Sequence, residues 1–174
     1  FTFDGKGYVV LLESNADRTS NEIYLANYAS YDDLLTNTLA GSSAYSTLNV
    51  SSAFSVGGYT RNGFGGYSVL LESNADRTSN EIYIANYATY ADLLANNLAV
   101  TSAYSALNVS SAFRVGGFTF DGKGYVVLLE SNADRTTNEI YLAYYDTFDA
   151  LLTNTLSPTS AYSSLNVSSA FSVG

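Results

Sequence analysis

The sequence predicts an all-β fold of three tandem antiparallel β repeats that is completed by self-association. Three observations carry this expectation. A unit of about 58 residues recurs from Phe1, Tyr59 and Phe118, and the string Leu-Leu-Glu-Ser-Asn-Ala-Asp-Arg-Thr stands unaltered at Leu11, Leu70 and Leu128. Within each unit, apolar runs of strand length alternate with turn signals rich in Gly, Asn and Ser. A repeat of this period signals an array in which no unit buries its apolar faces alone, so neighbours must cover them. The units are residues 1–58, 59–117 and 118–174, together one repeat domain.

Each unit opens on a turn, Phe3-Asp4-Gly5-Lys6-Gly7 in the first and Phe120 to Gly124 in the third. Asp-Gly between apolar segments is a hairpin signal because Gly tolerates positive φ. The middle unit has Arg61-Asn62-Gly63-Phe64 there and one extra residue, which predicts a disrupted turn. Tyr8-Val9-Val10-Leu11-Leu12 follows, a continuous apolar run that suits a strand covered on both faces. The segment Glu22 to Tyr28 reads as its partner, with Ile23 and Leu25 on one face and Tyr24, Ala26 and Tyr28 on the other. A helix competes for this segment, since Thr19-x-x-Glu22 is a capping box and Tyr24, Tyr28, Tyr31 and Leu35 fall at helical spacing. Strand is preferred because the first strand needs an antiparallel partner and the intervening polar loop is long enough to close the hairpin.

Ser30 to Leu35 reads as a short helical turn capped by Ser30, with Thr89 and Thr147 at the equivalent positions. From Ala44 to Val56, small polar and apolar residues alternate, predicting one or two further strands before Gly57-Gly58 closes the unit. Three to four short antiparallel strands per repeat is the profile of a propeller blade.

At these residues the chain resembles a known family. Phe3-Asp4-Gly5-Lys6, then Tyr8 through Arg18, then Asn21-Glu22-Ile23-Tyr24-Leu25, is similar to the TolB-like (WD40-like) β-propeller repeat, over about half of each unit. Phe3 stands where that family usually has Pro, and the second half of the unit is longer. The resemblance implies a propeller scaffold used for protein or ligand binding, and it carries no catalytic residue. Three blades are too few to close a ring. Two chains closing six blades, or units stacking in an open array, would solve this.

Composition narrows function. Hydrophobic residues make up 47% of the chain and charged ones 13%, the balance of a folded protein. Sixteen acidic residues against 7 basic ones give a net charge of -9, which disfavours nucleic acid and anionic membrane surfaces as partners. No apolar run has the length of a spanning helix, so membrane insertion is not expected. Cys, His, Met and Trp are absent, which removes the usual nucleophiles, the commonest general base and most transition-metal ligands. The chain also starts and stops at repeat boundaries, which reads as a processed protein or an excerpt of a longer repetitive polymer. Richness in Ser, Thr, Asn, Tyr and Gly with few Lys suggests an extracellular or cell-surface setting.

Four constellations are candidates for chemistry. The loop containing Asn15 and Asp17, repeated as Asn74 and Asp76 and as Asn132 and Asp134, spaces oxygen ligands as calcium loops do, but Arg18 intrudes and the central Gly is missing, so a structural hairpin loop is preferred. Calcium is the one cofactor considered. Carboxylate pairs such as Glu13 with Asp17, or Asp32 with Asp33, could serve glycoside hydrolysis, yet Glu13, Glu72 and Glu130 are copies of one position with nothing to separate acid from nucleophile. Tyr24, Tyr28, Tyr83, Tyr87, Tyr141 and Tyr145 could stack on glycans, against the simpler role of sheet packing. Asn49, Asn108 and Asn166 each head an Asn-Val-Ser glycosylation acceptor. The expectation is a non-enzymatic extracellular structural or adhesive protein that self-assembles into a homo-oligomer or filament. The alternative is a carbohydrate-binding propeller formed by two chains, and a hydrolase comes third.

Overall fold

The computed structural model describes residues 2–14, 20–51, 54–73, 79–110, 113–131 and 137–168. They form three four-stranded antiparallel sheets, each of consecutive strands. The first holds β1 (Thr2–Phe3), β2 (Tyr8–Ser14), β3 (Ser20–Tyr28) and β4 (Ala44–Ser51); the middle, β5 (Phe54–Arg61), β6 (Tyr67–Ser73), β7 (Ser79–Tyr87) and β8 (Ala103–Ser110). The third holds β9 (Phe113–Phe120), β10 (Tyr125–Ser131), β11 (Thr137–Tyr145) and β12 (Ala161–Ser168). One short helix joins the third and fourth strands of each sheet: α1 (Tyr31–Thr36), α2 (Tyr90–Ala95) and α3 (Phe148–Leu152). The all-β expectation of three tandem antiparallel repeats therefore holds.

The opening hairpin is built by one side chain. Asp4 Oδ1 accepts the N–H groups of Lys6 and Gly7, both at 2.9 Å, and Gly5 supplies a φ of +87°. Asp121 does the same in the third sheet, and these two backbone donors hold its carboxyl below the usual carboxylate range. In the middle sheet the turn is not disrupted as expected. Asn62 Oδ1 replaces the Asp oxygen, accepting from Phe64 at 3.1 Å and Gly66 at 2.9 Å, while Gly65 takes the positive φ and the extra residue lengthens the loop.

Residues 22–28 are strand and not helix, paired residue for residue with β2 from Tyr8↔Tyr28 to Ser14↔Glu22. The helices begin at the expected caps. Ser30, Thr89 and Thr147 accept the N–H three residues on, and Thr89 with Asp92 completes a capping box. The chain then leaves each helical turn through a left-handed Asn: Asn37, Asn96 or Asn154. Asn tolerates that conformation, and its Oδ1 accepts the hydroxyl of Tyr28, Tyr87 or Tyr145 at 2.8 Å, which ties the turn to the sheet.

One expectation about the unit's end is corrected. Gly57 and Gly58 do not close the first unit; they lie inside β5, where the pairing with β6 shifts register between Val56 and Gly58. β5 and β9 thus run across the sequence boundaries at 58/59 and 117/118. The glycines are needed for close approach of sheets. A Cβ on Gly58 would sit 2.6 Å from the Phe118 backbone nitrogen, and one on Gly57 2.8 Å from Val115 Cγ1.

Period two along the strands gives each sheet a leading and a trailing face. Leading positions are Tyr8, Val10 and Leu12 with their equivalents Tyr67, Val69, Leu71 and Tyr125, Val127, Leu129. Trailing positions include Leu11, Glu13, Ile23 and Leu25 with theirs. Leu25 and Leu48 of the first sheet share one core with Val69, Leu71, Tyr87 and Leu93. Ile84 and Leu107 of the middle sheet share a second with Val127, Tyr145 and Leu151. The middle sheet is therefore covered on both faces, and β6 is buried throughout.

Candidate association surfaces

The two internal junctions are the same structure made twice. Ser46 Oγ in β4 donates to the Leu93 carbonyl of α2 at 2.6 Å, and Ser105 Oγ in β8 donates to the Leu151 carbonyl of α3 at 2.6 Å. Each serine also accepts the N–H two residues on, from Leu48 or Leu107 at 3.0 Å. Leu48 and Leu107 are each 6% exposed, and Leu93 and Leu151 are fully buried.

A carboxylate reinforces each junction near the first strands. Glu13 Oε2 accepts the Val56 N–H at 3.2 Å, and Glu72 Oε2 accepts the Val115 N–H at 3.3 Å, so each Glu braces the first strand of the next sheet. In the third sheet Arg114 of β9 also holds the buried Glu130, through Nη2 and, at 2.9 Å, Nε. The three copies of this carboxylate, weighed from sequence as acid or nucleophile, are engaged in holding strands. Ser30 caps α1 and its hydroxyl donates to Asp33 Oδ2 at 2.7 Å, while Asp32 is exposed beside it.

The outer sheets each leave part of one face open where the junctions would cover it, although Ala26 and Tyr28 on the first sheet and Glu130 and Ile140 on the third are buried. On the third sheet, Leu165 occupies the place of Leu48 and Leu107 and is 56% exposed; Leu142, in the place of the fully buried Leu25 and Ile84, is 37% exposed. Ser163 accepts the Leu165 N–H at 3.0 Å as its equivalents do, but among the described residues no carbonyl stands opposite its hydroxyl. On the first sheet, Leu12, Tyr31 and Leu35 are exposed, whereas Leu71 and Phe148 at positions equivalent to the first two are buried. Leu34, matching Leu93 and Leu151, is half-buried.

The candidate tyrosines divide into two groups. Tyr28, Tyr87 and Tyr145 are buried, with their hydroxyls committed to the Asn turns, and so present no stacking face. Burial drives the Tyr87 phenol up and the Tyr145 phenol to about 12. Tyr24, Tyr83 and Tyr141 are half-buried and pair across strands with the exposed Tyr45, Tyr104 and Tyr162, ring centroids 4.8–4.9 Å apart and edge to face. Tyr45 recurs in every unit, as Tyr104 and Tyr162, so the exposed partners are also legible in the repeat.

A cleft of about 350 Å³ opens between the first and middle sheets, with Asp4, Lys6, Asn27, Tyr67 and Tyr90 in its lining. The Tyr90 hydroxyl accepts from Asn27 Nδ2 at 2.7 Å and donates to the Ser42 carbonyl at 2.8 Å. At the second junction Phe64 takes the place of Lys6, its ring edge-on to Phe148 at 5.4 Å.

The calcium candidates Asn15, Asp17, Asn74, Asp76, Asn132 and Asp134 lie outside the described residues. Among the described residues no group of three or more acidic side chains is placed to hold a metal ion. The acceptor residues Asn49, Asn108 and Asn166 lie in β4, β8 and β12, with Asn108 opposite Glu81 and Asn166 opposite Glu139. No helix among the described residues is long and apolar enough to cross a membrane. Comparison with protein-family models, curated proteins and solved structures finds no match to the chain.

Proposed function

We propose that this chain is a non-enzymatic structural or adhesive repeat protein, extracellular or at a cell surface, that self-assembles into a fibre or surface array. The observation that carries the reading is the exposure ladder Leu48, Leu107, Leu165: 6%, 6% and 56%. Leu48 and Leu107 are each covered by the sheet that follows, whereas Leu165 in the same local setting is open to solvent. Exposed apolar surface of this kind marks an interaction site. The blade-like reading of each unit is supported by four consecutive antiparallel strands per sheet and sheet-on-sheet packing. A non-enzymatic role is supported by the structural engagement of Glu13, Glu72 and Glu130, which leaves these copies no division into acid and base. Electron microscopy of the native assembly tests the reading. Fibres or sheets are expected; compact single chains at every concentration would refute it.

The second reading is a carbohydrate-binding propeller closed by two chains. The three exposed tyrosine pairs favour it, since an aromatic face stacks on a sugar ring. Its test is glycan-array binding that is abolished when Tyr45, Tyr104 and Tyr162 are all changed to Ala.

A further inference from the structure

We infer that the partner covering the exposed part of the third sheet's trailing face, around Leu142 and Leu165, is the first sheet of a second copy of this chain, docked head to tail. The inference rests on the self-assembly reading and adds the partner, the polarity and the contacts. Its warrant is that the chain already contains this interface twice. At both internal junctions the trailing face of one sheet receives the leading face and helix of the next, with a Ser hydroxyl on a helix carbonyl and a Leu buried beside it.

The parts for a third such junction lie at opposite ends of the molecule. The third sheet carries Ser163, Leu165 and Leu142 in the trailing positions. The first sheet carries Leu12, Leu34 and Leu35 in the leading positions, with Leu35 66% exposed. In the docked pair, Ser163 Oγ donates to the Leu34 carbonyl of the second copy, as Ser46 does to Leu93 and Ser105 to Leu151. Leu165 then packs where Leu48 and Leu107 pack.

Such an interface is heterologous. Two different surfaces meet, and the rotation per contact decides between a closed ring and an open filament. A two-fold pairing of like faces would instead set Ser163 against Ser163, with no helix carbonyl to receive either hydroxyl.

The test uses two variants of the full chain, Leu165→Lys, which blocks the trailing end, and Leu35→Lys, which blocks the leading end. Both residues are exposed in the single chain, so circular dichroism of each variant should match the parent. In sedimentation velocity, each variant alone should run as a monomer of 18.6 kDa, and an equimolar mixture should give a species of about twice that mass. The Lys side chains share one sign, so no new attraction between the blocked ends can produce this result. If either variant alone still associates, or the mixture stays monomeric while the unmodified chain associates, head-to-tail docking is overturned. If the unmodified chain itself never associates, the self-assembly reading falls with it.

Discussion

The Ser46 hydroxyl lies 2.6 Å from the carbonyl oxygen of Leu93, joining the last strand of one sheet to the helix of the next. The same atom accepts the Leu48 N–H, so one small side chain serves both sheets. Changing Ser46 or Ser105 to Ala should lower stability by about 1–3 kcal/mol, the cost of leaving buried polar groups unmet. Ser163→Ala should have a much smaller effect on the dilute single chain. Urea unfolding of the three variants at low concentration checks the contrast.

Gly58 meets Phe118 where β5 and β9 come together. Gly58→Ala should destabilise by about 1–3 kcal/mol or more, because the new methyl group would press on backbone and not on a movable side-chain end. Gly41→Ala is the control, since nothing lies within 4 Å of a Cβ built there. Thermal unfolding of the two variants should separate them clearly.

Arg114 faces Glu130 across the β9–β10 ladder and shields a carboxylate with no solvent exposure. Arg114→Ala should cost about 3 kcal/mol, because a buried carboxylate loses its cation. Adding Glu130→Gln to that variant should recover part of the loss. A double-mutant cycle in denaturant measures the coupling, and independent effects of the two changes would refute the assignment.

Tyr59 is 1% exposed, and its hydroxyl has no hydrogen-bond partner among the described residues. The third sheet has Phe118 at the equivalent position, so Tyr59→Phe should raise stability, by about 1 kcal/mol. Burial pushes the phenols of Tyr59, Tyr87 and Tyr145 upward, and for Tyr145 the shift runs from 10.0 to about 12. In this range the folded chain retains protons that the unfolded chain has released. Stability should thus be full below about pH 10 and fall as pH rises above it. Denaturant midpoints between pH 8 and pH 12 check this, and a flat profile would contradict it.

The sequence made some elements plain because their signals are local. Asp4-Gly5 marks a turn through one carboxylate and one glycine, and Ser30, Thr89 and Thr147 mark helix starts through one hydroxyl each. The strand choice for Glu22 to Tyr28 was also legible, because a long apolar strand before it required a partner. What failed depended on contacts between sheets. Gly57-Gly58 looks like a unit boundary by composition, yet its role is set by Phe118 and Val115, about 60 residues away in sequence. Asn62 looked like a broken turn because a side-chain amide oxygen can replace a carboxylate without resembling it in the repeat pattern. The inter-sheet roles of Ser46 and Glu13 were hidden for the same reason: their partners belong to the next unit.

Sedimentation equilibrium of the unmodified chain over a wide concentration range tests the central claim most directly. The end faces predict a weight-average mass that rises above 18.6 kDa with concentration. A mass that stays at the single-chain value throughout, with Leu165 and Leu35 still open to solvent, would contradict it.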